Sequence, residues 1–179
     1  EDLLIITFSG LSKSYQVAGF RTGWMLVSGN KNLAHDYIEG LDILSSMRLC
    51  SNVPTQHAIA VALRGKQDYK KLTMPGGRLY EQRNLAYQML NQVEGITCVK
   101  PMGGLYLFPK LDRQLFNMLD DEQFVLDLLQ EQHVLVVQGS GFNWKTPDHF
   151  RMVFLPESSV IEEAIGRIDK FLSNYQQKN

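Results

Sequence analysis

Two unbroken apolar runs near the start of the chain predict strands that are buried on both faces. The first is LLIITF at residues 3–8 and the second is WMLVSG at residues 24–29. Continuous runs of this length, without alternation, are typical of strands covered on both sides. Helical segments follow, one after a capping Asn30 and one with Pro54 near its start and Gly65 at its end. The order strand, loop, strand, helix, helix predicts an α/β fragment with too few strands for a complete sheet.

The pattern changes after residue 72, where TMPGG precedes a long amphipathic helix. Four short apolar segments beyond it predict strands, namely ITCVK, LYLFP, VLVVQ and FRMVFLP. A helix over DDEQFVLDLLQEQ begins at a capping Asp120, and Ser159 with Glu162 has the spacing of a capping box for the last helix. The apolar stripe of that last helix indicates core packing. We therefore expect the end of a large α/β domain over residues 1–72 and a smaller α+β domain over residues 73–179.

The composition of the chain argues against several classes of protein. The 179 residues carry a formal net charge of −1, without the basic excess of nucleic-acid-binding proteins. Cys50 and Cys98 form no paired motif, and the spacing of the histidines matches no metal site. No apolar run approaches the roughly 20 residues of a membrane span, and no leader peptide is visible. These features predict a cytoplasmic protein without metal, nucleic-acid or membrane partners, and the missing initiator Met indicates a piece of a longer protein.

The segment SGLSKSYQVAGFRTGW places two cations, Lys13 and Arg21, on a small-residue loop between the two apolar runs. A lysine attacks a carbonyl only as a neutral amine, and burial behind a strand together with a nearby cation favours that form. The serines, the open backbone amides and the planar fork of Arg21 suit a phosphate. Spacing alone leaves two interpretations open, a solvated surface loop or an anion site with a reactive amine.

The same segment resembles the cofactor-lysine motif of class I and II aminotransferases, a fold-type I family that uses pyridoxal 5'-phosphate. That motif has a serine before the lysine and an arginine eight residues after it, followed by x-Gly-aromatic. Ser12, Lys13, Arg21, Gly23 and Trp24 match it. The segments MRLCSNVPTQHA, PGGRLYEQRN, VKPMGGLYLFPK, VLVVQGSGFNW and HFRMVFLP follow in the family's order. The resemblance covers essentially the whole chain and is closest to the bacterial branch that exchanges amino groups between glutamate and pyruvate.

The resemblance implies cofactor roles for three residues of the loop. Lys13 would hold the cofactor as a Schiff base and would move the substrate proton. Ser12 and Arg21 would bind the cofactor phosphate. Many relatives have a second phosphate-binding serine three residues before the lysine, where this chain has Gly10. Backbone amides and residues outside the chain would then complete the phosphate site.

The resemblance also implies substrate-binding residues later in the chain. Arg151 in HFRMVF would clamp the substrate α-carboxylate through two parallel hydrogen bonds, whereas the plainer interpretation is an exposed charge at a strand edge. Gly103 and Gly104 would let the MGGLY loop approach the substrate, although a simple turn explains them too. Tyr15 would line the pocket, but packing is the commoner role of such a tyrosine. Gln138 replaces the family's usual proline in the later glycine-rich loop.

The implied activity is the transfer of an amino group between an amino acid, alanine or glutamate, and a 2-oxo acid, pyruvate or 2-oxoglutarate, in a homodimer. In this family the aspartate that holds the pyridine nitrogen, the tyrosine and asparagine at O3' and the stacking aromatic ring all precede the lysine. Residues 1–12 do not supply them. We therefore expect an active parent protein and an inactive 179-residue chain.

Three alternatives stay open at this point. A β-lyase or an acyl-condensing synthase of the same fold type would share the lysine motif. A non-catalytic aminotransferase-like domain could sense a ligand within a transcription regulator. A freestanding interaction domain is disfavoured because the apolar strands would have exposed edges.

Overall fold

The first unit of the chain opens with an antiparallel hairpin. A computed structural model describes residues 3–178, and the chain divides into two compact units, residues 1–70 and 71–179. Strand β1 (Leu4–Gly10) pairs with β2 (Gly23–Gly29), so that Gly10 lies opposite Gly23. The predicted burial on both faces is wrong, since Phe8 is 72% and Leu26 58% exposed. The side chains of a strand point to the two faces of its sheet, and the described part of the unit leaves much of these apolar faces uncovered.

The first unit contains the two predicted helices, although the first begins later than predicted, and a third short helix that the sequence pattern did not indicate. They are α1 (His35–Arg48), α2 (Val53–Arg64) and α3 (Tyr69–Thr73), the last of which spans the boundary between the units. The side chain of Asn30 accepts a hydrogen bond from the N–H of Asn32 at 3.2 Å, which confirms its capping role before a short 3₁₀ turn. Pro54 lies in the first turn of α2, and Gly65 follows its last residue. In the described structure, α1 and α2 contain no buried residue.

The second unit is an α+β fold, as predicted. Its elements in chain order are α4 (Arg78–Leu90), β3 (Ile96–Thr97), β4 (Tyr106–Leu107), β5 (Lys110–Leu111), α5 (Asp121–Gln132), β6 (Val137–Gln138), β7 (Phe150–Val153) and α6 (Ser158–Leu172). Strand β7 lies between β4 and β6 and is antiparallel to both, and β3 pairs with β5. The sequence pattern missed β5, which has two residues of which one is a lysine. Within residues 3–178, no helix combines the length and apolar character that a membrane crossing needs.

A single apolar core joins the helices of the second unit to its strands. The fully buried side chains include Ala86, Leu90, Leu107, Leu111, Phe124, Leu128, Phe150, Ile161, Ile165 and Ile168. The predicted stripe of α6 is therefore mostly confirmed, although its first member, Val160, is 50% exposed. Asp120 caps α5 by accepting hydrogen bonds from the N–H groups of Glu122 and Gln123. The predicted capping box at Ser159 is wrong. Helix α6 already begins at Ser158, so Ser159 lies inside the helix and not at its N-cap.

Candidate functional site

The loop between β1 and β2 brings Ser12 and Arg21 to the same end of the hairpin. The ladder continues one pair beyond the strands, since the N–H of Leu11 donates to the carbonyl of Thr22 at 3.2 Å. Ser12 directly follows this pair and Arg21 directly precedes it. Paired residues of antiparallel strands lie about 5 Å apart, so the two residues leave the hairpin side by side. Lys13 is the next residue of the loop.

The start of α2 holds the second half of this loop in place. The buried hydroxyl of Thr22 donates to the carbonyl of Phe20 at 3.0 Å and also bonds the hydroxyl of Thr55. The side-chain amide of Asn52 donates to the same carbonyl of Phe20 at 3.1 Å. Leu11, at the neck of the loop, is 1% exposed. The loop that carries the cations is therefore a fixed structure within the first unit.

The two loop cations have no acidic partner among residues 3–178. One guanidinium nitrogen of Arg21 donates to the carbonyl of Ala18 at 2.9 Å, and its backbone is left-handed with φ of 51°. Its other N–H groups are available to a ligand. Lys13 is exposed, so the described residues do not supply the burial that the sequence predicts for a nucleophilic lysine. They do form a loop with two uncompensated positive charges, which suits an anion.

Close approach of the two strands explains Gly10 within the motif. A Cβ atom at Gly10 would lie 3.1 Å from the carbonyl oxygen of Thr22, and one at Gly23 would lie 2.8 Å from that of Ser9. A serine at position 10 would therefore require the strands to shift. This pair of glycines leaves Ser12 as the nearest hydroxyl before Lys13.

The contacts of Tyr15 favour a packing role. Its hydroxyl donates to the side-chain oxygen of Gln67 at 2.9 Å. Its ring meets that of Tyr69 edge to face, with centroids 5.7 Å apart. Both contacts lie within the first unit and tie the loop to the segment that follows α2.

Arg151 in the second unit is a cation held by aromatic rings. It lies on β7, the central strand of its sheet rather than an edge. Its guanidinium carbon is 4.4 Å from the ring centroid of Tyr106 and 4.3 Å from that of Phe142. Its Nε atom is buried and has no hydrogen-bond partner. Since no carboxylate among residues 3–178 pairs with it, the arrangement favours an anionic ligand.

Sequence reasoning missed Tyr106 and Phe142 as members of this site. Each belongs to a short element, Tyr106 to β4 and Phe142 to a 3₁₀ turn over Gly139–Phe142. The aromatic residues within LYLF and GSGFNW were the only features of these segments that could have indicated a site. Nothing in their spacing indicates that they meet at Arg151.

Gly104 lines a cavity of about 300 Å³ in the second unit, together with Tyr80, Arg83 and Phe154. Its φ is +74°, in the left-handed region that glycine adopts without strain. A Cβ atom at Gly103 would meet no atom within 4 Å. The turn thus requires glycine at position 104 for its backbone conformation rather than for close packing.

One group of possible metal ligands lies outside the motifs. His35, Asp36 and Glu39 have ligand atoms within 4.8 Å of one another, and all three are exposed. Residues one turn apart on a helix become neighbours without any ligand. The grouping therefore adds nothing to the site.

Comparison with known proteins links the chain to one family. The family model described as aminotransferase class I and II matches residues 1–168. The chain is 58% identical over 176 residues to glutamate-pyruvate aminotransferase AlaA of Haemophilus influenzae, a match that covers 98% of this chain and 44% of that protein. It is 53% identical over 176 residues to an alanine aminotransferase of Mycobacterium bovis, covering 98% and 41% of the two chains.

A crystal structure of an aminotransferase from Escherichia coli matches the fold with a TM-score of 0.96 at 56% sequence identity. That match covers 99% of this chain and 44% of the other. The chain therefore spans less than half the length of these relatives.

Proposed function

Because the chain belongs to the class I and II aminotransferase family, we propose that the whole protein transfers amino groups between an amino acid and a 2-oxo acid. The observation that carries the proposal is the guanidinium of Arg151, which lies over two aromatic rings and has a buried Nε without a partner. Such a cation suits the α-carboxylate that all these substrates share. The names of the relatives support alanine, glutamate and pyruvate as the substrates. Removal of the amino group from glutamate leaves 2-oxoglutarate, which would be the fourth.

The residues of the β1–β2 loop fit pyridoxal 5'-phosphate. The guanidinium of Arg21 bonds a backbone carbonyl and no carboxylate among residues 3–178, and Ser12 follows the last backbone pair of the hairpin on the opposite side of the loop. These two residues would bind the phosphate. When bound, the cofactor supplies an electron sink that weakens the bond between the substrate's Cα and its hydrogen. Lys13 would hold the aldehyde end of the cofactor, and once the amino group of the substrate has displaced it, its free Nζ would remove and return the proton at Cα.

Arg151 orients the substrate from the second unit. Its fork donates two hydrogen bonds to the α-carboxylate, while the rings of Tyr106 and Phe142 hold the plane of the guanidinium. We assign Gly104 to a turn beside the substrate and Tyr15 to the wall of the cofactor pocket. Both assignments follow the family resemblance.

The exposed apolar side chains of the first unit support a larger domain around it. We propose that residues 1–72 end a large cofactor domain, that residues 73–179 form the small domain, and that preceding parts of the whole protein cover Phe8 and Leu26. The whole protein would act as a cytoplasmic homodimer, as the family resemblance implies. The 179-residue chain by itself would be inactive, since it lacks the groups that hold the pyridine ring.

The test compares the full-length protein with the 179-residue chain. Each is incubated with pyridoxal 5'-phosphate, alanine and 2-oxoglutarate, and the products are identified. We expect pyruvate and glutamate from the full-length protein and none from the chain. Release of pyruvate and ammonia from an amino acid with a leaving group on Cβ, such as cysteine, without formation of glutamate would instead indicate a β-lyase. Complete inactivity with every amino acid and 2-oxo acid pair would indicate a ligand-sensing domain.

A further inference from the structure

A buried carboxylate, Asp148, anchors a polar network close in sequence to Arg151. Asp148 is 4% exposed. Its Oδ1 atom accepts hydrogen bonds from the indole N–H of Trp144 at 3.0 Å and from the hydroxyl of Thr146 at 2.8 Å, and lies 2.6 Å from Nδ1 of His149. Burial opposes the ionised form, but the hydrogen bonds from these three groups outweigh it and hold the pKa of the Asp148 carboxyl below its ordinary value. These three groups all contact Oδ1, while Oδ2 lies 3.9 Å from Nζ of Lys110.

Aromatic contacts connect this network to Arg151. The ring of Trp144 lies 4.5 Å from that of His149 and 5.6 Å from that of Phe108, measured between centroids. Phe108 meets Phe142 edge to face at 6.4 Å. Phe142 in turn lies under the guanidinium of Arg151 at 4.3 Å. The route from Asp148 to Arg151 therefore consists of direct contacts only.

The short turn that presents Phe142 is fixed at both ends. At its start, the N–H of Gly139 donates to the carbonyl of His149 at 2.8 Å, and the N–H of Ser140 donates to the carboxylate of Asp121 at 2.8 Å. Beyond its end, Trp144 is held by Asp148. A Cβ atom at Gly139 would lie 2.9 Å from the carbonyl oxygen of His149, so the first anchor requires glycine.

We propose that Asp148 and Trp144 are positioning residues for substrate-carboxylate binding, because they hold Phe142 against the guanidinium of Arg151. The inference rests on the proposed function of Arg151. A flat cation over a ring presents its edge donors in one plane, and a displacement of about 1 Å in that plane misaligns a bidentate pair. Neither residue would touch the substrate. Each would act through Phe142, a residue that is 44% exposed and therefore only partly enclosed by its neighbours.

The test uses Trp144→Phe in the full-length holoenzyme. This variant keeps an aromatic ring at position 144 and removes the indole N–H that donates to Asp148, together with the five-membered part of the indole. We expect the Kd for pyruvate, measured by calorimetry, and the KM for alanine to rise about fivefold, with kcat within twofold of wild type.

Two further comparisons test the same route. Asp148→Asn, which keeps an oxygen acceptor, should raise the Kd less than Asp148→Ala. In an Arg151→Lys background, Trp144→Phe should have no further effect on the Kd.

Tyr175→Phe is the matched control. It also removes one donor to a carboxylate of the same unit, the 2.8 Å hydrogen bond from Tyr175 to Asp127. We expect it to lower Tm about as much as Trp144→Phe but to leave the Kd and KM unchanged. An unchanged Kd in Trp144→Phe, or an equal rise in the control, would overturn the inference.

The two proposals fail in different ways. Pyruvate binding that depends on Arg151 and Trp144 in a protein without amino transfer would overturn the proposed function and support the positioning role. Active transfer with wild-type Kd and KM in Trp144→Phe would support the function and overturn the positioning role. Absence of pyruvate binding by the wild-type holoenzyme would overturn the positioning role as well.

Discussion

The guanidinium carbon of Arg151 lies 4.3 Å from the ring centroid of Phe142, although one residue belongs to a strand and the other to a 3₁₀ turn. When a guanidinium lies over an aromatic ring, its flat face makes the contact and the N–H groups at its edge point away from the ring. The same cation contacts Tyr106 at 4.4 Å. The guanidinium of Arg151 is thus pre-oriented to bind a planar anion. We expect its removal to weaken substrate binding more than it lowers kcat.

Arg151→Lys in the full-length protein should raise the KM for alanine by about 10- to 100-fold, with a smaller change in kcat. An ammonium group cannot form two parallel hydrogen bonds to a carboxylate. Steady-state kinetics at varied alanine concentration measure the effect. Arg167→Lys is the control, since Arg167 pairs with Glu163 and the carbonyl of Gln132. Equal KM values for the two variants would contradict the role of Arg151.

Lys13→Ala and Lys13→Arg in the full-length protein should each lower turnover by at least about 10³-fold. Alanine has no amine, and a guanidinium stays protonated and cannot join the cofactor. Borohydride reduction followed by peptide mass spectrometry should place the cofactor on Lys13 in wild type and on no residue in the variants. Lys31→Ala, at an exposed lysine of the same unit, should keep both turnover and cofactor. Cofactor fixed to another lysine in wild type would assign the nucleophile elsewhere.

Arg21→Gln should weaken cofactor binding about tenfold, which corresponds to roughly 1.4 kcal/mol. The substitution removes a charged donor whose side-chain N–H groups have, among residues 3–178, only the carbonyl of Ala18 as a partner. Titration of the full-length apoprotein with pyridoxal 5'-phosphate gives the Kd. Inorganic phosphate should compete less well in the variant than in wild type. Arg48→Gln, at an exposed arginine that bonds the carbonyl of Cys50, should leave the Kd unchanged.

The stability of the full-length protein should depend on Asp148 in acid. The pKa of Asp148 is lowered in the folded protein, because hydrogen bonds from His149, Thr146 and Trp144 outweigh the effect of burial. Its contribution is therefore complete above the ordinary aspartate pKa of about 3.9 and is lost as the pH falls through the lower folded-state value. Urea unfolding between pH 6 and pH 3 should show Asp148→Asn less stable at pH 6, with the difference from wild type narrowing below about pH 4. Parallel pH curves would contradict this assignment.

Local patterns determined much of the secondary structure. The apolar runs became β1 and β2, and Asn30, Pro54, Gly65 and Asp120 lie at the helix ends where their conformational preferences put them. These preferences act within a few residues, so the sequence alone expresses them. The failed prediction, burial of the two apolar runs on both faces, depends on contacts with residues far away in the sequence. Side chains of the apolar runs such as Phe8 and Leu26 are exposed because the described part of the first unit does not cover the faces of the hairpin.

The same division holds for the candidate site. The spacing of Ser12, Lys13 and Arg21 lies within one loop, and the sequence by itself determined that two cations and a serine share it. Only the tertiary structure decided that Tyr106, Phe142 and Arg151 meet, because Tyr106 and Arg151 are 45 positions apart in the sequence and lie on strands that pair. Hydrophobic periodicity along the sequence predicts which face of a helix or strand a side chain occupies. The residue that it contacts there depends on how separate helices and strands pack together.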